Sequence, residues 1–248
     1  MDRPELIYEN TVEGGFVRRL NRFTAEVEIG GIVQKVHVKN TGRLGELLLP
    51  DARVTLQRAA DPARKTAFDL ISVYKPGLEW VNIDSLAPNA LMKQFYAGAG
   101  FDLVRPEFTY GNSRFDFYLE QGGEKYLTEV KGCTLAGPEP GFGLFPDAPT
   151  ERGVKHLKEL AAAAARGYHC AIVFVIQMNG IRRVEPNDVT QPEFREALVR
   201  AADAGVQVIC QSCQVEADRI WISGAADDTA RFREYWSTNE FVNQEAAL

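Results

Sequence analysis

The sequence predicts an α+β chain of two domains: a small β-barrel, then an α/β domain whose mixed central sheet is flanked by helices. Three observations carry that prediction. Residues 10 to 75 read as short strands at close spacing with turns between them. Beyond Pro76-Gly77, helical and strand patterns alternate. Between them in importance stands RFDFYLEQGGEKYLTEVKGCT, Arg114 to Thr134, which reads as a β-hairpin with a Gly122-Gly123 turn.

In the first part, Phe16 to Arg19 and Asn21 to Ile29 are the opening strands. Gly30-Gly31 is a hairpin turn and Ile32 to Val38 returns. Val54 to Gln57 and Ala67 to Tyr74 complete about five strands, a number that fits an oligonucleotide-binding barrel. Between strands lies Asn40-Thr41-Gly42-Arg43. Asn, Thr and Gly after a strand can present backbone N–H groups to an anion, with Arg43 assisting; an ordinary loop is the competing reading. Arg58 and Arg64-Lys65 make a basic flank suited to phosphate contact, or a merely solvated one.

Pro76-Gly77 marks the boundary, so the expected domains are 1–80, 81–222 and an extension over 223–248. Trp80 to Ser85 leads into a helix that starts at Ser85 or Pro88-Asn89 and closes at Gly98 to Gly100, with Leu91, Phe95 and Tyr96 on one face. Leu103 to Tyr110 is a strand carrying Glu107. The Gly- and Pro-rich stretch Ala136 to Pro149 is expected to be an ordered lid. Thr150 caps a helix over Glu151 to Arg166, with Arg152, Lys155, His156 and Glu159 on its polar side. His156 there is either a contact to the scissile phosphate or an ordinary surface histidine. His169 to Gln177 is near-continuously apolar, as buried parallel strands are. Glu193 to Ala204 is a helix and Val206 to Cys210 the last strand. Trp221, Phe232, Tyr235 and Trp236 mark an acidic amphipathic tail segment, expected as a helix that packs on the domain or on a partner.

Counting outward from the hairpin turn, Tyr118 faces Leu127, Asp116 faces Glu129 and Arg114 faces Lys131. Asp116, Glu129 and Lys131 then share a face, with Phe115, Phe117, Leu119, Tyr126 and Val130 on the other, core face. Two adjacent carboxylates repel, and a cation between them relieves the repulsion. Hard oxygen ligands favour Mg2+ or Mn2+. Lys131 beside that ion would orient a water or stabilise phosphate charge. A solvated face of cross-strand salt bridges is the alternative. The order helix, strand, hairpin, helix, strand puts this cluster on central strands, the layout of a restriction-endonuclease-like core.

Composition bounds the rest. The net charge of −6 argues against bulk electrostatic binding of nucleic acid. Residues 1–80 carry 12 Lys+Arg against 11 Asp+Glu, and the remainder 16 against 23, so any basic groove is local and better sought in the N-terminal part. No leader-like or membrane-spanning apolar run is present, and four cysteines are too few for a disulfide framework, so a reduced cytoplasmic protein is expected. Cys210-Gln211-Ser212-Cys213 is half a zinc site at most and reads as structural.

Several segments together resemble the sugar fermentation stimulation protein A family. They are Asn40-Thr41-Gly42, Arg64-Lys65-Thr66, Val81-Asn82, Glu107, Gly111-x-Ser113-Arg114-Phe115-Asp116-Phe117, Glu129-Val130-Lys131-x-x-Thr134-Leu135, and Phe145-Pro146-Asp147-Ala148-x-Thr150-Glu151-Arg152-Gly153-x-x-His156-Leu157. The likeness spans residues 10 to about 222. It implies an N-terminal oligonucleotide-binding barrel and a nuclease domain of the PD-(D/E)xK type. On that resemblance, Asp116, Glu129 and the Val130 carbonyl hold Mg2+ or Mn2+, Lys131 positions the water, and Glu107 adds a ligand to metal or water. Nucleic-acid contacts are expected from Asn40, Thr41, Arg43, Arg64, Lys65, Arg114, Arg152 and His156. Gly132-Cys133 departs from the family's usual larger or hydroxyl residues. The expected activity is phosphodiester hydrolysis of DNA and/or RNA; no membrane partner is expected, and a dimer is compatible with these residues. A DNA-binding regulator of sugar-metabolism genes without cleavage is the alternative, and a phosphoesterase acting on a small nucleotide a third.

Overall fold

The computed structural model describes residues 3–238. In chain order the elements are β1 (Glu5–Ile7), β2 (Thr11–Asn21), β3 (Thr24–Ile29), β4 (Ile32–Val38), β5 (Arg53–Arg58), β6 (Phe68–Lys75), β7 (Glu79–Asn82), α1 (Ala87–Gly98), β8 (Leu103–Tyr110), β9 (Ser113–Gln121), β10 (Glu124–Cys133), β11 (Leu135–Ala136), β12 (Phe142–Phe145), α2 (Glu151–Ala164), β13 (His169–Ile176), β14 (Arg183–Pro186), α3 (Pro192–Asp203), β15 (Gln207–Glu216), β16 (Arg219–Asp227) and α4 (Thr229–Thr238).

The barrel has the strand order β4-β3-β2-β5-β6, and a parallel β4–β6 pairing closes it into five strands. Alternation in β3 and β4 sends Ala25, Val27, Val36 and Val38 inward, where Phe16, Val54, Leu56 and Leu70 meet them. β7 extends this sheet beside β6, so the chain from Trp80 forms a strand before it enters a helix. The boundary expected at residue 80 therefore falls inside β7. Pro76-Gly77 makes only the turn, with Gly77 at φ +87°.

The second domain is a mixed seven-stranded sheet in the order β1-β16-β15-β13-β10-β9-β8. β10, β13 and β15 are parallel neighbours, so their connections must cross over the sheet. One apolar cluster joins α1 to Phe117, Leu119 and Val130; a second joins α2 and α3 to Phe115, Tyr118 and Leu127. Both faces are thus buried. This corrects the expectation of one core face. Phe117 and Leu119 lie on the α1 side as grouped, but Phe115 lies on the α2 side.

Two further expectations change. The stretch Ala136 to Pro149 is ordered, and part of it is a sheet: β11 and β12 join β14, and Phe145 packs on Phe174 and Phe194. The extension expected from 223 also begins as strand, although its expected helix does pack on the domain. That boundary falls inside β16, which runs antiparallel to β15, and the α4 that follows seats Phe232 in the core at 2% exposure. Trp221 belongs to β16. The side chains of Tyr235 and Trp236, and all of 239–248, lie outside the described residues.

The two domains meet beneath the end of β10. Gln177 Nε2, just past β13, donates to Asn82 Oδ1 at 2.8 Å and to the Asp84 carbonyl at 3.0 Å, and Val81 bridges Met178. Gly132 lies over this junction: a Cβ there would stand 2.4 Å from Gln177 Oε1 and 2.9 Å from Pro88 Cγ. The small residue after Lys131 suits that lack of space.

Candidate active site

β9 and β10 pair in the register counted from the Gly122-Gly123 turn: Gln121–Glu124, Tyr118–Leu127 and, last, Phe117–Thr128. There the ladder stops. The expected Asp116–Glu129 and Arg114–Lys131 pairs do not form, because the side chain of Asp116 takes over. Its Oδ2 accepts the Val130 N–H at 2.8 Å, and its Oδ1 accepts from Asn89 Nδ2 of α1 at 2.9 Å. The strand's side-chain alternation breaks at the same residue, which is why Phe115 crosses to the α2 side. The divergence opens the sheet where the two acids stand.

Glu129 and Lys131 lie on the same side of β10, as strand alternation requires. Glu129 is 1% exposed. Its Oε1 accepts from Lys131 Nζ at 2.5 Å and from His156 Nδ1 at 2.5 Å, while its Oε2 is buried with no hydrogen-bond partner. α2 supplies His156 because Thr150 caps that helix, its hydroxyl accepting the Gly153 N–H at 2.9 Å. His156 is buried at 4% exposure, packed edge-on to Phe115. This corrects the surface-histidine reading: the helical stripe with Leu157 and Leu160 turns it inward. With Nδ1 donating to Glu129, Nε2 is left to accept from Arg152 Nε at 3.4 Å, the tautomer its partners select.

The two carboxyls are driven apart electrostatically. Burial, and then the charge of Glu129, hold the Asp116 carboxyl above its ordinary range. Burial also works upward on Glu129, but the His156 hydrogen bond and the Lys131 charge outweigh it and leave Glu129 below its ordinary range. Among the described residues no three His, Cys, Asp or Glu side chains converge on one point. The carboxylates at this site are those of Asp116 and Glu129.

The other expected site residues sit elsewhere. Glu107 lies across from Asp116, between the Pro106–Phe117 and Phe108–Phe115 pairs, but at φ +54° its side chain is 70% exposed and faces Arg114 at 3.7 Å. It is not brought to the acidic pair. In the Asn40 to Arg43 loop two of the amides are taken within the chain. Gly42 N donates to Asn40 Oδ1 at 2.8 Å and Arg43 N to Asp147 Oδ2 at 3.0 Å, so the anion on this loop is a carboxylate of the chain itself. The side chains of Thr41 and Arg43 are exposed. Arg64 is tied to Asp69 through both guanidinium nitrogens, at 2.9 and 2.7 Å, with His37 on the same carboxylate. That pairing anchors it to β6; Lys65 beside it is exposed. Arg114 and Arg152 border the His156 side of the site.

Sequence reasoning missed Asn89 and Arg19. Arg19 donates to the carbonyls of Gly42 (2.6 Å), Arg43 (2.8 Å), Asn40 (2.7 Å) and Arg22 (2.8 Å), and so fixes the loop. An isolated arginine in a strand carries no sequence signal for such a role. All four cysteines are free and buried, and burial pushes each thiol up to about 12. Cys210 and Cys213 accordingly pack as apolar groups. Among the described residues no helix is long and apolar enough to cross a membrane.

The family described as "SfsA N-terminal OB domain" matches residues 17–83, and "Sugar fermentation stimulation protein RE domain" matches residues 83–219. The sugar fermentation stimulation protein homolog of Desulfitobacterium hafniense (strain DSM 10664 / DCB-2) is 48% identical over 216 residues, 86% of this chain and 93% of its own. The homolog of Clostridium beijerinckii is 44% identical over 224 residues, 89% of this chain and 98% of its own. The solved structure of Pyrococcus furiosus SfsA in complex with Ca2+ aligns with a TM-score of 0.81 at 25% identity, covering 91% of this chain and 98% of that one.

Proposed function

The chain belongs to the sugar fermentation stimulation protein family, and we propose that it is a divalent-metal-dependent nuclease that hydrolyses phosphodiester bonds in DNA or RNA. One observation carries the reading. Glu129 Oε2 is buried without a hydrogen-bond partner, beside an Asp116 carboxyl that burial and the Glu129 charge disfavour as an anion. An orphaned carboxylate oxygen and a raised neighbouring acid are what a site short of one cation shows. Asp116, Glu129 and the Val130 carbonyl are the groups that would hold Mg2+ or Mn2+. The Ca2+ in the Pyrococcus furiosus relative is of the same oxygen-seeking class. The bound ion supplies positive charge where the phosphate gathers negative charge in the transition state.

The chain's own groups do the rest. Asn89 and the Val130 N–H fix Asp116 in one orientation. His156 and Lys131 hold Glu129 ionised through its Oε1, which leaves Oε2 free. Lys131 Nζ, 16% exposed, orients the attacking water and stabilises charge on the phosphate. Water adds to phosphorus and releases a proton to solvent as the bond to the leaving oxygen breaks, and that oxygen takes up a proton from solvent in turn. The barrel supports this from one side. A cleft of about 50 Å³ lined by Asn40, Gly132, Thr134 and Asp147 joins its anchored loop to the end of β10. Arg22 and the 53% exposed Phe23, on the same anchored turn, suit phosphate contact and base stacking.

The test is cleavage of labelled single- and double-stranded DNA and RNA with Mg2+, Mn2+ or EDTA, for wild type and Lys131→Ala together. Metal-dependent cleavage in wild type and a loss of at least about 100-fold in the variant, with binding kept, is expected. Full activity in Lys131→Ala overturns the assignment. Salt-sensitive binding with no cleavage under any metal favours the regulator.

A further inference from the structure

Beside the acidic pair, on the far side of the His156 ring, lies an open cleft of about 290 Å³ lined by Asn112, Ser113, Arg114, Arg152, Lys155 and His156. Resting on the nuclease reading, we propose that this cleft binds an internal phosphodiester of the substrate strand, next to the scissile one.

Its walls are the turn between β8 and β9 and the first turns of α2, so its shape follows from the same Thr150 cap that sets His156. Three cations face it. Lys155 Nζ is held at 2.9 Å by the Asn112 carbonyl, which draws the two walls together. Arg152 is steered to the cleft by His156 Nε2. Arg114 and Lys155 have acidic neighbours, Glu107 at 3.7 Å and Glu159 at 3.8 Å. Three positive charges against two negative leave one, which matches the single charge of a phosphodiester and not the near-dianion of a terminal phosphate. A second, independent feature points to a ligand. Ser113 is 5% exposed and its Oγ has no hydrogen-bond partner, so turning that hydroxyl about χ1 to meet an anion gives up no existing bond. One imidazole spans the distance from Glu129 to Arg152, so a strand with one phosphate at the acids lays the neighbouring one here. His156 thereby couples the two places without itself touching the second phosphate.

The probe is a fluorescein-labelled oligonucleotide of about 12 nucleotides, the length of a typical single-strand site. Single-stranded DNA, duplex DNA and single-stranded RNA forms are each tested with and without a 5′-phosphate. Anisotropy is read in EDTA over a salt series for wild type, Arg152→Ala, Ser113→Ala and Lys158→Ala. Lys158 is an exposed cation of the same helix outside the cleft and serves as the control. Arg152→Ala is expected to lower the slope of log K against log salt by about one, and Lys158→Ala to leave it unchanged. Ser113→Ala weakens binding several-fold at unchanged slope, and the 5′-phosphate makes no difference. Equal slopes for Arg152→Ala and wild type overturn the subsite while leaving the nuclease reading intact. A tenfold gain from the 5′-phosphate that Arg152→Ala abolishes overturns the phosphodiester assignment in favour of a terminal phosphate. No binding of any probe by the wild type overturns both readings.

Discussion

Replacing Asp116 with Asn should stabilise the metal-free protein and remove its response to metal. Asp116 is partly buried beside Glu129, and its carboxyl is held above its ordinary range, first by burial and then by the Glu129 charge. A carboxyl with a raised folded value contributes stability that is complete below the unfolded value, near 3.9, and is lost as pH rises through the folded one. At pH 7 the ionised Asp116 is therefore a cost. The amide removes the charge and keeps the shape: its Oδ1 can still accept the Val130 N–H, and a flipped Asn89 amide can accept from its NH2. Relief of such a strained functional group is worth about 0.5–2 kcal/mol. At 2–4 °C per kcal/mol for a chain of this size, Tm in EDTA rises by roughly 1–8 °C. The wild type, in Mn2+ at a hundredfold its Kd, gains about 2.7 kcal/mol. The Asp116→Asn variant loses most of that gain along with cleavage. Calorimetry in EDTA and in Mn2+ measures both. A lower Tm for Asp116→Asn in EDTA, or a metal-induced rise equal to that of wild type, would refute the view that these acids are a site short of a cation.

Other expectations rest on the same geometry. His156→Ala strips Glu129 Oε1 of one donor inside the core, which costs about 1–3 kcal/mol and lowers the cleavage rate with little change in substrate binding, read from chemical denaturation and steady-state kinetics. Glu129, with its value depressed, contributes stability present above its unfolded value near 4.3 and lost as pH falls through the lower folded one. Acid unfolding followed in EDTA should therefore begin at higher pH in His156→Ala than in wild type. Gly132→Ala drives a Cβ against a Gln177 side chain already committed to Asn82 and Asp84, so melting should show a loss of about 1–3 kcal/mol.

Much of the fold was legible because its signals are local. The glycine pair at 122-123 fixed the hairpin register through Tyr118–Leu127, Thr150 marked its helix, and the apolar run at 170–176 announced a buried strand. What was not legible depends on contacts far apart in sequence. Two-residue counting cannot foresee that Asp116 leaves the ladder, because the cause is an Asn89 amide 27 positions earlier and a main-chain N–H 14 positions later. The pairing of Arg64 was hidden for a related reason. Arg64 looked like a free cation, since nothing in its own loop showed that Asp69 would face it across the turn as an internal partner. β16 was hidden because its apolar run, Ile220 to Ile222, is short and is followed by Ser, Gly and Ala.

On the proposed function, the same break at Asp116 lets one short hairpin serve both stability and chemistry. A ladder continued past Phe117–Thr128 would have set Asp116 and Glu129 face to face as a paired β-bridge, with both main chains fully bonded and little freedom between the acids. Instead Asp116 commits its own carboxylate to the Val130 N–H, a group that would otherwise be left unpaired at the fork. That bond satisfies the backbone and fixes the acid in one step. On the other side of β10, Glu129 draws its donors from Lys131 and from a separate element, α2. The two acids are thus positioned by opposite layers of the sheet, Asp116 through α1 and Glu129 through α2. Packing of either helix is therefore a condition for the site, and substitutions at the α1 contact Leu91 or the α2 contact Leu157, both fully buried, should disturb cleavage before they unfold the protein.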